Sequence, residues 1–265
     1  MAASAAVLLC AGCSQSTDSR SPATPDTAHP RAVSPSPGDA GALVRAAVAA
    51  TRATTARIDE KVEVGDDRDS FPLTVTGSFD MAADKGRLAV DFPGGAISHL
   101  DEVFTSGTVY LRNNKNTSRT WSRLERTAAQ SHYLLRAPVN DPEHVLVQIA
   151  AMRRVTKGGE DTISGARCVR YRGILDHATI TLRQAAKARE QADAIRDALG
   201  TDLPVYAEAW IDPHGQLVRA RLSFDFDTLH LNTTLNLSDH GKPVDVTAPA
   251  TDAQPVTVTG GVLPG

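Results

Sequence analysis

Apolar and polar residues alternate with a period of two in several stretches of the chain after residue 70. In the clearest stretch, one face carries Val218, Ala220, Leu222, Phe224 and Phe226, and the other carries polar side chains. Such alternation predicts a half-buried β-strand. The same pattern predicts strands at residues 71–81, 86–92, 104–112, 121–124, 167–174, 205–211 and 229–237. Together they indicate a large antiparallel sheet with one apolar face and one wet face.

Three other stretches repeat every three to four residues, which predicts helices. They run from Asp39 to about residue 55, from Asp141 to about residue 156, and from about residue 182 to Leu199. Asp39 and Asp141 are suitable N-terminal caps, and Gly158 and Gly200 are placed to end the second and third helices. The pattern therefore predicts an α+β domain in which two or three helices partly cover a one-sided sheet.

A short apolar run at the N-terminus, residues 5–12, ends at Cys13. The run is too short to span a membrane, which requires about 20 apolar residues. Small residues directly before a cysteine, at the end of an apolar segment, are what a lipoprotein signal peptidase cleaves. The pattern predicts a signal peptide over residues 1–12 and a diacylglyceryl group on Cys13.

Two features of this N-terminus depart from the usual lipoprotein signal. Cys10 occupies the position of the usual branched aliphatic residue, and no Lys or Arg precedes the apolar run. We therefore expect a signal peptide that is truncated at its N-terminus, with the true start codon upstream of Met1. The alternative is an alanine-rich, disordered N-terminus whose cysteine has no such role.

Residues 14–38 are rich in Ser, Thr and Pro and nearly devoid of apolar side chains. Such a segment buries too little surface to offset its ordering entropy, so we expect a disordered linker that spans about 25–30 Å. The predicted organisation is a signal peptide at 1–12, the lipidated Cys13 and linker at 13–38, one folded domain at 39–249, and a flexible tail at 250–265.

Charge and composition exclude several classes of partner. The net charge is −3 and the pI is about 6.2, so no basic field indicates nucleic acid. Aromatic residues make up 5% of the chain, which argues against a stacking platform for bases or sugars. Besides Cys10 and Cys13, the chain contains only Cys168, which we interpret as a small buried strand residue rather than a reactive thiol.

The sequence also lacks the familiar motifs of catalysis and metal binding. Its eight histidines show no His-Glu-x-x-His spacing, and neither a Gly-x-Ser-x-Gly elbow nor a phosphate-binding glycine loop occurs. The adjacent pairs Asp176-His177 and Asp239-His240 fall in predicted polar loops, where surface residues are expected rather than a catalytic dyad. We therefore expect no enzyme, no metal site and no cofactor.

Three stretches resemble a known family: GEDTISGARCVRYRGILD at 159–176, LPVYAEAWIDPHGQLVRARLSFDF at 203–226, and LNLSDHGKPVDVTAP at 235–249. Together with the N-terminal cysteine, they are similar to the LppX/LprAFG family of actinobacterial lipoproteins. The resemblance implies a LolA/LolB-like fold, in which a strongly curved antiparallel sheet forms a half-barrel with two or three helices on its concave side. It further implies that the apolar space between sheet and helices carries a lipid, and that Cys13 is the lipid anchor.

A palmitoyl chain costs roughly 0.8 kcal/mol per methylene in water, so a protein that moves it must hide the whole chain. The side chains expected to line the space are aliphatic or aromatic and come from the apolar faces of strands and helices. They are Val75, Phe79, Val90, Ile149, Met152, Ile195, Leu199, Leu222, Phe224, Leu231 and Leu235. The same alternation fits a filled core equally well, and the sequence does not distinguish the two.

The main hypothesis is a lipoprotein outside the cytoplasm, anchored to the outer face of the cell membrane, that binds a lipid or other apolar ligand. It would transfer or present that ligand near the membrane. The partners expected are a lipid or glycolipid ligand, the membrane itself and a membrane transporter, with no nucleic acid and a monomeric state. The alternative is a sensor or interaction lipoprotein of the same fold that binds a protein partner.

Overall fold

The computed structural model describes residues 39–66, 68–93, 98–113, 120–249 and 253–255. These residues belong to one compact unit, Pro35–Gly265. The predicted signal peptide, Cys13 and the linker lie outside the described residues. Within the described residues, no helix combines the length and the apolar character that crossing a membrane requires.

One sheet organises the domain. In chain order, its strands are β1 (Thr55–Gly65), β2 (Ser70–Asp80), β3 (Lys85–Asp91), β4 (His99–Thr105), β5 (Thr108–Asn113), β6 (Ser122–Glu125), β7 (Arg153–Ile163), β8 (Ala166–Ile174), β9 (Val205–Ile211), β10 (Leu217–Phe226), β11 (Leu229–Ser238) and β12 (Gln254–Pro255). Their order across the sheet is β12-β6-β5-β4-β3-β2-β1-β11-β10-β9-β8-β7. Neighbours from β6 to β7 pair antiparallel, and the two-residue β12 joins β6 in parallel. The predicted antiparallel sheet is confirmed, and it is not closed into a barrel.

Alternation along the strands produces one apolar face, which we call the core face. On β1, for example, Ile58 and Val62 are buried while Arg57 and Lys61 are exposed. On the opposite face, Arg219 Nε donates to Asn236 Oδ1 at 2.6 Å, and Arg221 donates to Asn232 at 3.1 Å. Polar ladders of this kind keep the outer face wet, as the period of two predicts.

A small second cluster lies on the outer face, where Cys168 packs with Ile163 and Trp210. Cys168 is fully buried, as expected of a structural strand residue. The indole Nε1 of Trp210 donates to Asp161 Oδ2 at 2.7 Å, which satisfies the polar edge of this buried ring.

Four helices are described: α1 (Ala40–Arg52), α2 (Pro142–Ala150), α3 (His177–Ile180) and α4 (Ala186–Leu199). The predicted caps are confirmed, because Asp39 accepts from the Ala42 amide at 3.0 Å and Asp141 accepts from the Glu143 amide at 3.0 Å. Gly200 ends α4 in the left-handed conformation, with φ 65°.

Helices α1 and α2 pack on the core face and on each other. Helix α1 contacts β1, β7, β9 and β10, and α2 contacts β9 and β10. At one end of α1, Gly41 lies beside Val155 of β7, and at the other end Thr51 Oγ1 accepts from the Leu217 amide of β10 at 3.3 Å. Helix α1 therefore runs across the strands and covers one part of the core face.

The second helix is shorter than the sequence predicts, because it ends at Ala150 and β7 begins at Arg153. Residues Gly158 and Gly159 do not end a helix. They lie in β7 where the register with β8 shifts, and Gly159 adopts φ 123°, so the pair accommodates a β-bulge.

Other elements also differ from the prediction. The single strand expected at 104–112 is two strands, β4 and β5, joined at Gly107, whose φ of 80° makes the tight turn. Helix α4 begins at Ala186 rather than near residue 182, because Gln184 instead forms a bridge to Ser131. Strand β1 and the short α3 have no counterpart among the predicted elements.

Only residues 253–255 of the predicted C-terminal tail are described. Ala253 is buried, and Gln254–Pro255 pair with Ser122 and Arg123 of β6. This short stretch therefore adds a strand beside β6, which the sequence of the tail does not reveal.

Candidate functional site

Residues 129–141, which we call the crossing segment, run over the core face from β11 to β4. Thr233 of β11 donates from Oγ1 to the Leu135 carbonyl at 2.9 Å. Asn140 donates from Nδ2 to Glu102 Oε1 of β4 at 2.9 Å. Between these bonds, Ala137 and Val139 are buried in the apolar cluster of the sheet. The segment therefore covers the centre of the core face without being a helix.

The backbone of the crossing segment is held in an unusual conformation. Leu135, Val139 and Asn140 all have positive φ, at 58°, 46° and 54°. Left-handed backbone is rare for a β-branched residue such as Val139, and costs on the order of 1–3 kcal/mol per residue. Its packing against the sheet must hold the segment in this shape.

A polar cluster lies beneath the segment, within an otherwise apolar face. Glu60 of β1 and Glu102 of β4 are almost fully buried, with exposed fractions of 2% and 0%. Asn140 bridges towards them, since it donates to Glu102 and accepts from Arg136 at 3.3 Å. The Oε2 atoms of both carboxyls find no hydrogen-bond partner among the described residues.

Burial sets the protonation of this cluster. It raises the pKa of Glu60 from its ordinary 4.5 to about 8, against the opposing field of Arg136. Burial also raises the pKa of Glu102 well above 4.5, although the hydrogen bond from Asn140 opposes the shift. We infer that both carboxyls hold a proton near neutral pH. Burial lowers the pKa of Arg136 from 12.5, but a guanidinium in a protein stays charged.

A second polar contact fixes the end of the crossing segment. Arg126 donates to Asp141 through Nε and Nη2, each at 2.7 Å, and its third nitrogen contacts Asp84. Asp141 is also the cap of α2, so one buried carboxylate ties the segment, the helix and the residues after β6 together. Two parallel bonds of this kind give both strength and a fixed orientation.

An apolar groove of about 470 Å³ lies beside the crossing segment, towards one end of the strands. Its walls come from the end of β1, the start of β2, the residues after β3, and the crossing segment. They are Val62, Val64, Phe71, Pro72, Leu73, Phe92, Pro93, Tyr133, Leu134 and Arg136. Two aromatic side chains at its rim face solvent, with exposed fractions of 67% for Phe71 and 56% for Tyr133.

The register of the sheet explains why the groove is open. Val62 lies between Thr233 and Leu73, and Thr233 is where the crossing segment is fixed to β11. The next inward-facing row, Leu231–Val64–Phe71, lies beyond that bond. The strands therefore extend further than the segment that covers their centre.

A smaller hollow of about 200 Å³ adjoins the groove, and both are lined by Val64, Tyr133 and Leu134. Its other walls are α4 and the ends of β10 and β11, with Ala188, Ala192, Ile195, Leu203, Phe224, Leu229 and Leu231 among them. Helix α4 buries only Ala192 fully, so it covers this end of the sheet loosely.

The residues predicted to line a ligand space fall into three places. Ile195, Phe224 and Leu231 line the smaller hollow. Leu199 is 36% exposed near the end of α4. The others are buried in the packed cluster of the core face: Val75, Phe79, Val90, Ile149, Met152, Leu222 and Leu235. A role for any of them in ligand binding stays a prediction.

Sequence reasoning missed the crossing segment and its polar cluster. One signal was available, because Glu60 occupies a position between Ile58 and Val62 that period-two alternation assigns to the buried face. The segment itself has no helical or strand period. Its place follows from tertiary contacts alone, and Arg136 could be recognised only once those contacts are known.

Two other hollows have charged linings. One of about 880 Å³ borders Arg153, Arg154, Asp176 and Asp202, and one of about 430 Å³ on the outer face borders Arg57, Arg87 and Asp101. Both mix charged with apolar side chains, whereas the described lining of the groove is apolar apart from Arg136.

The two Asp-His pairs have separate structural partners. Asp176 caps α3 through the Thr179 amide at 2.9 Å, while His177 Nε2 contacts Asp193 at 2.6 Å. Asp239 pairs with Lys242 at 2.7 Å. Among the described residues, no group of three or more His, Cys, Asp or Glu is placed to hold a metal ion.

An open one-sided sheet with a groove at one end is thus the class of architecture found here. No family model matches the chain. A Streptomyces griseus protein described as an uncharacterized 31.2 kDa protein in the rplA-rplJ intergenic region is 27% identical over 130 residues, or 47% of this chain. The chain spans 43% of that relative's length.

Among solved structures, LprF from Mycobacterium bovis is similar at 18% identity and TM-score 0.49, over 82% of this chain and 99% of that one. The Mycobacterium tuberculosis lipoprotein LppX is similar at 13% identity and TM-score 0.49, over 80% of this chain and 100% of that one. The predicted resemblance to LppX/LprAFG lipoproteins is confirmed.

Proposed function

We propose that this chain is a lipoprotein that binds the hydrocarbon chain of a lipid in the apolar groove and the adjoining smaller hollow. The observation that carries the proposal is the groove itself, whose described lining is apolar apart from Arg136 and whose volume is about 470 Å³. Ligand pockets typically measure ~300–1,000 Å³. Each methylene that leaves water for such a wall contributes roughly 0.8 kcal/mol.

The binding region lies between the sheet, the crossing segment and α4, rather than throughout the core. We propose that the helices lie on the concave side of a curved sheet, and that the packed centre fixes the shape of the groove at its end. Phe71 and Tyr133 at the rim are suited to contact the ligand as it enters, because aromatic rings tolerate both water and hydrocarbon.

The proposal also includes the anchor. A diacylglyceryl group on Cys13 would hold the protein at the outer face of the cell membrane, and a two-chain anchor is far firmer than a single acyl chain. The linker would keep the domain at an average of about 25–30 Å from the bilayer. Lipid would therefore be transferred or presented close to one membrane, and a membrane transporter and a monomeric state remain predictions.

The test uses the full chain with Cys13→Ala, expressed in a related host, purified without detergent and extracted with organic solvent. We expect about one lipid per protein molecule by mass spectrometry. Leu134→Glu places a carboxylate in the groove and should remove the lipid. Leu182→Glu, the same change at an exposed leucine outside the groove, is the matched control and should keep it. A folded protein without stoichiometric lipid would contradict the proposal.

A second function is favoured by the exposed rim. The side chains of Phe71 and Tyr133 could equally contact a protein partner of a sensor lipoprotein. The same extraction separates the two functions. A lipoprotein that binds only a protein partner would be purified without lipid, and Leu134→Glu would not change its lipid content.

A further inference from the structure

Arg136 is the one charged side chain among the ten described residues that line the apolar groove. Its guanidinium carbon lies 5.5 Å from the centre of the Phe92 ring and 6.0 Å from that of Tyr133. These two rings also line the groove, so the cation is held between groove walls by cation–π contacts. A charge fixed at this place is not a surface residue that happens to be nearby.

The backbone that carries Arg136 is strained on both sides. Leu135 precedes it with φ 58°, and Val139 and Asn140 follow with φ 46° and 54°. Strained backbone of this kind clusters at ligand clamps and active sites. The Leu135 carbonyl is bonded to Thr233, and Asn140 is bonded to Glu102, so the position of Arg136 is fixed from both ends.

We propose that Arg136 binds the headgroup of an amphiphile with an anionic oxygen head, a carboxylate or a phosphate, whose hydrocarbon chain occupies the groove. The inference rests on the proposed function and adds the chemical class of the ligand. A guanidinium suits this task because its planar donors match carboxylate and phosphate oxygens in pairs.

The groups that face Arg136 are compatible with a bound anion. Glu60 and Glu102 are neutral near pH 7 because burial raises the pKa of each, so they do not repel it. Neither carboxyl lines the groove itself, so neither competes with the ligand for its walls. Asp141 is already paired with Arg126 through two bonds of 2.7 Å.

The simpler interpretation is that Arg136 only offsets buried carboxyl groups of the core. The two interpretations differ in one measurable property, the preference for a charged head over a neutral head on the same chain. If Arg136 only offsets the carboxyl groups, the groove binds charged and neutral heads with equal affinity. If Arg136 binds the ligand, the affinity for the anion is about 10- to 100-fold higher, the range of charge-assisted hydrogen bonds.

The test is displacement of a neutral fluorescent probe, aminoanthracene, from the delipidated Cys13→Ala chain near neutral pH. The competitors are dodecanoate, dodecyl phosphate and dodecanol. We expect at least one of the two anions to bind about 10- to 100-fold more tightly than the alcohol. Whichever anion is favoured identifies the carboxylate or the phosphate as the head. Equal affinity for all three would overturn the headgroup assignment and leave the proposed function standing.

Variants sharpen the test. Arg136→Met should abolish the preference for the anion over dodecanol, and Arg136→Lys should keep part of it. Arg123→Met, the same change at an exposed arginine of β6, is the matched control and should behave as wild type. If Arg136→Met does not fold, the wild-type comparison alone decides. If none of the three competitors binds, both the proposed function and this inference fail.

Discussion

The centre and the open end of the core face are built from the same strands but are covered differently. At the centre, Glu102 is bonded to the crossing segment through Asn140, and Ile58 and Leu88 of the same row are buried. Three rows further along β1, Val64 and Phe71 line the groove beside Tyr133 and Leu134. One sheet thus provides a closed core and an accessible groove.

The two regions differ in what covers them, because the strands that build both alternate apolar and polar residues with the same period of two. At the centre, the cover is fixed by buried polar contacts, and it carries the polar groups that an apolar core would exclude. At the end, α4 and two side chains leave space. Stability should therefore depend mainly on the packed centre, and ligand binding should depend mainly on the open end.

The largest expected effect concerns Glu60 at the centre. Its pKa is about 8 in the folded protein against 4.5 ordinarily, so the folded state holds a proton that the unfolded chain loses between these values. Its stabilising contribution is fully present below pH 4.5 and is lost as the pH rises through 8. At about 1.4 kcal/mol per pH unit, the total is on the order of 5 kcal/mol.

Glu60→Gln should therefore flatten the decrease in the free energy of unfolding across this window and should make the variant the more stable protein at high pH. Urea unfolding at a series of pH values measures both. A variant whose stability follows the wild-type pH curve would show that Glu60 does not titrate in this window.

Two phenylalanines of β2 form a matched pair across the division. Phe79 at the centre is fully buried, packs over Gly86 and makes an edge-to-face contact with Phe104 at 5.2 Å. Phe79→Ala should lower the free energy of unfolding by about 3–5 kcal/mol. Phe71→Ala, at the rim, should change it by less than about 0.5 kcal/mol. Urea unfolding of the two lipid-free variants compares them, and equal losses would refute the division.

Asp141 tests the contact that fixes the end of the crossing segment. Asp141→Asn keeps a cap for α2 but removes the charge that Arg126 needs while both side chains are buried. We expect a loss of about 3 kcal/mol, the lower end of the range for breaking a buried pair. Thermal unfolding measures it. A loss as small as that of a surface pair, below about 1 kcal/mol, would show that Asp84 can replace Asp141.

A small effect is also expected in α4, at the open end. Gly200 ends α4 at φ 65°, and no atom lies within 4 Å of the position of an added Cβ. Gly200→Ala should therefore cost only the strain of a left-handed alanine, about 1 kcal/mol. Amide hydrogen exchange should show faster opening of α4 and unchanged protection of β1 and β2. Faster exchange at the centre as well would mean that α4 and the core unfold together.

Much of the sheet could be predicted from the sequence, because alternation is a local property that each strand carries by itself. The helices α1 and α2 were found at their N-termini, since Asp39 and Asp141 are local capping signals. The start of β7, residues 153–156, lies within the predicted second helix, because Gly158 and Gly159 serve a bulge as readily as a helix end. Glycine alone does not distinguish these uses.

The groove could not be predicted, for a physical reason. Leu222 and Leu231 follow the same alternation, yet one is fully buried in the core and the other lines a hollow. The two leucines differ in how far the crossing segment covers their part of the core face. The bond between Thr233 and Leu135 fixes the segment in place there. That bond joins residues 98 positions apart and leaves no periodic signal.

The central claim is that hydrocarbon binds at the open end and not throughout the core. The most direct measurement is photo-crosslinking of the full Cys13→Ala chain with a palmitate analogue that carries a diazirine on its hydrocarbon chain, followed by peptide mass spectrometry. We expect adducts on groove residues such as Val64, Leu73, Phe92 and Leu134. Adducts on the packed centre, at Leu88 or Leu222, or on the outer face instead of the groove, would contradict it.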